Sequence, residues 1–565
     1  MIIQSLVSLY DRLAENEEVP CFGFSAENIG FYIEIDENGN LIGAPVDLRI
    51  PLPKNNFKYK TSIVPYSNTV NVRSSGAATT PNFLVDKVNY IFGMADNSVT
   101  EEYKISFTNL IKEVSTNTDD VGIQAVIRFL ENWDFSKTPE LPLWKEMSGD
   151  KAKWIAFRLK GEHQFVHERP AAIQLWKDHI AKEEYPQGRS FLSDEVGDIQ
   201  PQYAQFKFGS GVSLISFNKS AFESYGKKRG ENASIHVDEE FKSSTALKYL
   251  FDTVQHNITI GDTIYVFWSE RKSVAEDFFH QILNPNDPAL TGHDRDILNN
   301  FLESLRKGKL PSQIEPDIDL KFYILGFSIC KGRMAIRFWH VDPVEQLMRR
   351  IGKHFKDLEM ERSFERDPLN PGIWELLRET AREPKNISPV LNGTLMRAIM
   401  EGTPYPMPLY YGVLNRIRAD RRISYLRAAI FKAVLTRNYN MEVPMSLDEN
   451  RTDAGYLMGR LFAVLEKVQF DALGKVNATV KDRFWGAASA TPATVFPRLL
   501  SMAQHHMAKA RYGFVAENII REIMEKLPAF PSRLNLQEQG LFAIGYYQQK
   551  NDLYRKNDNK EDKGE

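Results

Sequence analysis

Few residues in this chain have the types and spacing that chemistry needs. His505 and His506 are adjacent on a predicted helix, so they point to different faces and make poor co-ligands. His293-Asp294 stands alone in a polar stretch, without companions at metal-ligand spacing. Asp317-Ile318-Asp319 leads into a predicted strand and reads as a solvated edge rather than a metal site. Cys21 and Cys330 are the only cysteines, too few for a structural zinc site, and they suit a reducing cytoplasm. No G-x-x-x-x-G-K-[ST], G-x-S-x-G or H-E-x-x-H is present. The expectation is a chain with no catalytic residue, metal or cofactor. The alternative is a metal-dependent nuclease acting alone on DNA or RNA, because paired carboxylates occur in any chain of 565 residues.

Three polar or basic segments suit nucleic-acid contact better. In the first, residues 70–82, Asn71, Arg73, Ser74, Ser75 and Asn82 offer hydrogen-bonding groups on a chain loosened by Gly76. Such side chains reach base edges or phosphates, and small neighbours let the backbone approach a groove. The plainer reading is a polar surface loop. In the second, residues 218–232, Lys219, Lys227, Lys228 and Arg229 crowd around Tyr225. The cations suit phosphates and the ring suits stacking; the plainer reading is a solvated turn with a buried tyrosine. The third is the stretch carrying Arg416, Arg418, Arg421, Arg422, Arg427, Lys432 and Arg437. Its apolar stripe is Leu414, Ile417, Ile423, Leu426 and Ile430, and most cations fall off it. That pattern suits a helix packed on one side and facing a displaced single strand on the other. A helix surface facing solvent or a protein gives the same pattern.

Charge is unevenly distributed. The net charge is −3, yet residues 385–531 hold 20 Lys/Arg against 12 Asp/Glu, near +8, and residues 1–384 come to −11. The sharper reading places a polyanion against the C-terminal block; the blander one is scattered charge.

The elements that must position these residues divide into two kinds. Ile2, Leu6, Leu9 and Leu13 predict an opening amphipathic helix. Residues 31–36 and 41–50 predict a hairpin around Asn38-Gly39. Pro81-Asn82 predicts the start of a helix over 83–94. Runs 154–159, 212–217, 263–268, 322–329 and 334–339 are rich in β-branched and aromatic residues and predict strands, the last two joined by a turn at 330–333. From about Pro343 the periodicity becomes helical, with helices predicted over 421–436, 452–473, 495–512 and 514–527. The fold class expected is α+β: a mixed α/β N-terminal body with β-sheet, followed by an all-α C-terminal helical bundle. A Pro-rich, loop-like stretch at 384–408 separates an N-terminal part, 1–383, from a bundle at 409–550. Residues 551–565 read as a polar disordered tail. Nothing at the N-terminus reads as a signal peptide, and no run of about 18 apolar residues is present to span a membrane.

Within 471–549 lies DALGKVNATVKDRFWGAASATPATVFPRLLSMAQHHMAKA, followed after a second basic helix by LQEQGLFAIGYYQQ. The small residues Gly486, Ala487, Ala488, Ser489 and Ala490 predict close helix approach there, and Pro492 and Pro497 reset the chain direction. This stretch resembles the large subunit of the subtype I-C CRISPR Cascade complex. So do VSLISFNKSAFESYGKKRGENA (212–233), STALKYLF (244–251), DTIYVFWSE (262–270), MIIQSLVSLYDRLAE and VRSSGAATTPNFLVDKVNYIFG (72–93). The resemblance covers nearly the whole chain. It implies a non-catalytic cytoplasmic subunit that binds target double-stranded DNA, recognises the protospacer-adjacent motif, aids duplex opening and stabilises the R-loop. The partners it implies are a crRNA, the repeated backbone subunits, the 5′-handle subunit and a recruited helicase-nuclease. It also implies a small subunit translated from an internal start, for which Met441 and Met445, or Met400 and Met407 upstream, are candidates.

Overall fold

A computed structural model describes the chain except residues 1, 54–55, 67–79, 96–97, 150–151, 209, 218, 331, 511–512 and 562–565. The chain divides into two compact units: Met1–Thr253 with Ile329–Ala335, and Val254–Ser328 with Ile336–Glu565.

In the first unit the opening helix Ile2–Glu15 buries Leu6, Leu9 and Leu13, as their spacing requires. It packs on helix Val237–Asp252, with Tyr10 edge-on to Phe241 at 5.7 Å. The main sheet is built around strand Phe24–Ile35, which runs parallel to Trp154–Leu159 and antiparallel to Lys60–Pro65 and Val46–Asp47. The parallel pair needs a long crossover, and helices Glu101–Val114 and Val121–Asn132 lie within it. Phe31, Ile33 and Ile35 enter the core beneath these helices, while Ile29 and Tyr32 pack on the other face with Val64 and Phe165. The register shifts between Ile29 and Phe31. Gly30 sits in that shift because a Cβ there would lie 1.7 Å from the carbonyl oxygen of Ala152.

Three local expectations are corrected here. The turn at Asn38-Gly39 forms, with the Asp36 carboxylate accepting from the amides of Asn38 and Asn40, but the return strand is only Val46–Asp47. The helix expected over 83–94 shrinks to Val88–Phe92. Leu84 takes φ +64°, and Val85–Asp86 pairs with Trp154–Leu159 instead, so tertiary pairing overrides local propensity. The strand expected over 212–217 is confined to Ser210–Val212.

The second unit opens with an antiparallel sheet whose strands lie in chain order, Asn257–Ile260, Thr263–Ser269, Lys321–Cys330 and Arg333–Pro343, the tip of the last hairpin, Ile329–Ala335, belonging to the first unit. One face, with Tyr265, Phe267, Phe322 and Phe338, joins the helical core. On the other, Trp268 stacks on Tyr323 at 5.3 Å. From Val344 onward every regular element among the described residues is helical, so the class is a mixed α/β N-terminal body followed by an all-helical stretch, as expected. The Pro-rich stretch 384–408 is not a loop throughout. It contains helix Pro389–Glu401, which has Pro389 in its first turn and buries Leu395, Met396 and Met400 in this unit's core. The helix expected over 421–436 starts later, as Tyr425–Tyr439, after a break where Arg421 takes φ +57° at the end of helix Met407–Asp420. Helix Ala454–Leu473 has 12 buried residues.

Its closest partner is the final helix, Leu536–Glu561, which runs on into the expected tail. A Cβ at Gly459 would lie 2.0 Å from the Phe542 carbonyl oxygen, and one at Gly545 would lie 2.3 Å from that of Tyr456. Close approach is therefore made by Gly455, Gly459 and Gly545. The expected site, Gly486, has nothing within 4 Å of its Cβ position.

Candidate nucleic-acid interface

The strongest candidate surface is the segment following strand Ser210–Val212. Lys219, Tyr225, Lys227, Lys228 and Arg229 are all exposed, and Tyr225 is 100% exposed. The plainer reading, with Tyr225 buried, therefore fails. Tyr225 and Gly226 form the tip of a two-residue turn, with φ of +52° and +74°, between the paired residues Ser224 and Lys227. Positive φ at both central residues is the hairpin-turn pattern, and it is costly for a bulky side chain.

Asn232 holds the turn in shape. Its Nδ2 donates to the carbonyls of Lys227 and Arg229, both at 3.0 Å, and its Oδ1 accepts from the Ser224 amide. Gly230 anchors the base. Its amide donates to the Pro201 carbonyl, and a Cβ would lie 2.1 Å from the carbonyl oxygen of Gln200. Arg229, at φ +44°, is strained for the same closure.

Two further aromatics belong to this surface. The Lys227 ammonium lies 5.7 Å from the ring centroid of Phe191, which is 64% exposed. The Arg333 guanidinium, from the tip of the Lys321–Cys330 and Arg333–Pro343 hairpin, lies 4.8 Å from the ring of Phe222. Neither Phe191 nor Arg333 was legible as a partner, because both lie far from 218–232 in sequence and only the fold brings them near. Among the described residues, Lys219, Lys227, Lys228 and Arg229 form no ion pair. The arrangement suits stacking of bases on rings and neutralisation of phosphates by cations.

The other two candidate segments fare differently. Asn71, Arg73, Ser74 and Ser75 lie outside the described residues. Asn82 is buried, with its backbone N–H donating to the Asp86 carboxylate, so its side chain is not on a reading surface as expected. Of the arginine-rich pair of helices, Arg427 is buried, its guanidinium bonded to the carboxylates of Glu379 and Asp420. Lys432 is buried too, donating to the carbonyls of Lys356 and Asp357. Both corrections have one cause: helix Tyr425–Tyr439 is packed almost all round, so cations off the apolar stripe still point inward. Arg416 is paired with Asp420, and Arg418 donates to Gln539 Oε1. Arg421 donates to the Arg418 carbonyl, and Arg422 is exposed.

One serine–histidine pair invites an enzymatic reading. Ser62 Oγ lies 3.1 Å from His167 Nε2. The nearby carboxylate of Glu168, however, accepts from Ser62 rather than orienting the histidine, and His167 Nδ1 has no partner. Burial holds the imidazole down to about 4, the neutral form. This is a buried polar contact, not a nucleophile and base. Asp294 caps its own helix through Thr291, and Asp317 accepts from Ser273. Among the described residues no group of three or more His, Cys, Asp or Glu could hold a metal ion, and no helix is long and apolar enough to cross a membrane.

The family described as CRISPR-associated protein (Cas_Csd1) matches residues 6–554. The chain belongs to that family. The match runs through both compact units and includes 219–233, so the exposed Tyr225 turn lies within the family's own extent. No curated protein matches the chain.

Proposed function

We propose that this chain is the non-catalytic large subunit of a type I-C Cascade surveillance complex. In that role it binds target duplex DNA, recognises the protospacer-adjacent motif, aids duplex opening and stabilises the R-loop. Guide pairing then reads sequence, the division of labour expected of a crRNA-guided effector. Membership of a CRISPR-associated family supports the setting. The observation that carries nucleic-acid contact is Tyr225, wholly exposed on a strained, clamped turn among four exposed cations. Strain of this kind persists where the presented group is used.

The partners in this reading are a crRNA, the backbone and 5′-handle subunits, and a recruited helicase-nuclease. The segment 71–75 stays the proposed motif reader. A small subunit started internally at Met441 or Met445 would keep every helix from Ala454–Leu473 onward whole, since both methionines precede it in a non-helical stretch. Met400, by contrast, lies inside helix Pro389–Glu401.

The test is DNA binding by the chain alone and co-assembled with crRNA and neighbouring subunits, on targets with varied flanking trinucleotides. Flank-dependent binding in the assembly without strand cleavage is expected. Flank-independent binding with magnesium-dependent cutting by the lone chain would overturn the proposal.

A further inference from the structure

The second unit contains a cleft of about 1200 Å³, above the roughly 300–1,000 Å³ of small-molecule sites. One wall is basic. Helix Val344–Leu358 presents Arg349, Lys353 and Lys356 at i, i+4 and i+7, one stripe about 10 Å long at 1.5 Å per residue. Lys307 and Lys309, just past helix Gly292–Arg306, extend that wall. Lys307 is paired with Glu303 and Arg349 with Glu345, in exposed pairs that contribute little. Lys309, Lys353 and Lys356 are exposed or half-buried and form no ion pair among the described residues.

The floor is positive as well. Lys432 lines it, buried, with its ammonium satisfied only by two backbone carbonyls. The two carboxylates on this side of the lining are already paired, Asp357 with Arg437 at 2.6 Å and Glu359 with Arg306. The opposite wall, from 441 to 453, is polar and carries Glu442, Asp448 and Asp453, the last paired with Arg451.

We infer that this cleft holds the sugar–phosphate backbone of a single nucleic-acid strand, with phosphates against the Arg349, Lys353 and Lys356 stripe. The stripe is too long for one phosphate and matches a run of them. Among the described residues no aromatic lines the cleft, so the lining offers no platform for a base and reads no sequence. That absence separates it from the Tyr225 turn. The acidic wall repels phosphates and so turns the strand's charged edge toward the lysines. The inference rests on the proposed nucleic-acid role but names a different site.

The test uses the full chain with labelled single-stranded DNA, single-stranded RNA and duplex DNA of about 20 nucleotides, titrated at several salt concentrations. Lys353→Glu/Lys356→Glu and Lys353→Ala/Lys356→Ala are compared with Tyr225→Ala. Both cleft variants are expected to lower single-strand affinity by about 10-fold or more, and the alanine pair to flatten the log–log salt slope by about 1.4, two phosphate contacts at about 0.7 each. Comparison of the DNA and RNA arms shows which strand is preferred. Unchanged affinity and slope in both cleft variants overturns the inference, as does equal displacement of bound strand by polyglutamate. Loss in the cleft variants with none in Tyr225→Ala supports the cleft and counts against the turn; the reverse counts against the cleft alone.

Discussion

Asn232 Nδ2 donates to the carbonyl oxygen of Lys227 at 3.0 Å, and this bond closes the turn that projects Tyr225 into solvent. The same amide group reaches Arg229, so one side chain fixes the direction of the ring and of the cations beside it. Asn232→Ala removes these bonds at a site where water can replace them, at a cost of about 1 kcal/mol to folding. Strand affinity is expected to fall further than stability, because the ring and lysines lose their fixed arrangement. Thermal melts and binding titrations on one preparation check this; equal losses in both would show only a structural role.

Tyr225 contributes nothing to the core, so Tyr225→Ala should leave the melting temperature unchanged. If the ring stacks on a base, affinity drops by about 1–3 kcal/mol. Tyr225→Gly goes further: glycine relieves the φ of +52°, raising stability by about 1 kcal/mol while binding still falls. A glycine variant that binds like the parent would remove stacking from the account.

Arg427 is expected to be structural. Its guanidinium is buried between Glu379 and Asp420, and Arg427→Ala leaves the partly buried Glu379 without its cation and Asp420 with Arg416 alone. Loss of about 3 kcal/mol is expected, carried mainly by Glu379, since Asp420 keeps Arg416. Urea denaturation measures it, and a cost under 1 kcal/mol would put the side chain back among surface cations.

The approach of helices Ala454–Leu473 and Leu536–Glu561 depends on Gly459. Gly459→Ala forces a Cβ to within 2.0 Å of the Phe542 carbonyl oxygen and should cost about 3 kcal/mol or more as the helices separate. Gly486→Ala, with open space around it, should be neutral or stabilise by up to about 1 kcal/mol. Similar effects from the two substitutions would contradict the packing described.

Glu240 is buried and accepts from the Ala204 amide, and burial pushes its carboxyl up to about 7. The folded state therefore keeps the proton between about 4.5 and 7, where the unfolded chain has released it. Stability is expected to fall as pH rises through this window, by about 3 kcal/mol in all, and to level off above it. Glu240→Gln should lack that slope. Unfolding of both forms at pH 5 and pH 8 is the measurement, and parallel profiles would sink the assignment.

Much of the scaffold was legible because it depends on local pattern. Leu6, Leu9 and Leu13 lie on one helical face, and the strand expected over 154–159 is Trp154–Leu159. The helix expected over 452–473 is Ala454–Leu473. The helix expected over 83–94 was not legible, because Val85–Asp86 is claimed by a strand about 70 residues away. The site was half legible. Lys227, Lys228 and Arg229 stand together in the chain, which marks the segment as basic.

By itself the sequence determined the α+β class and elements such as Ile2–Glu15, Trp154–Leu159 and Ala454–Leu473, since these follow from periodicity and composition. Tertiary structure alone decided which cations face solvent. Arg427 and Lys432 resemble Lys227 and Lys228 in the chain, yet dense packing around helix Tyr425–Tyr439 turns the first two inward, each satisfied by partners from other segments. Whether a positive charge neutralises an internal carboxylate or waits at the surface depends on what stands across from it, and a linear pattern does not record that.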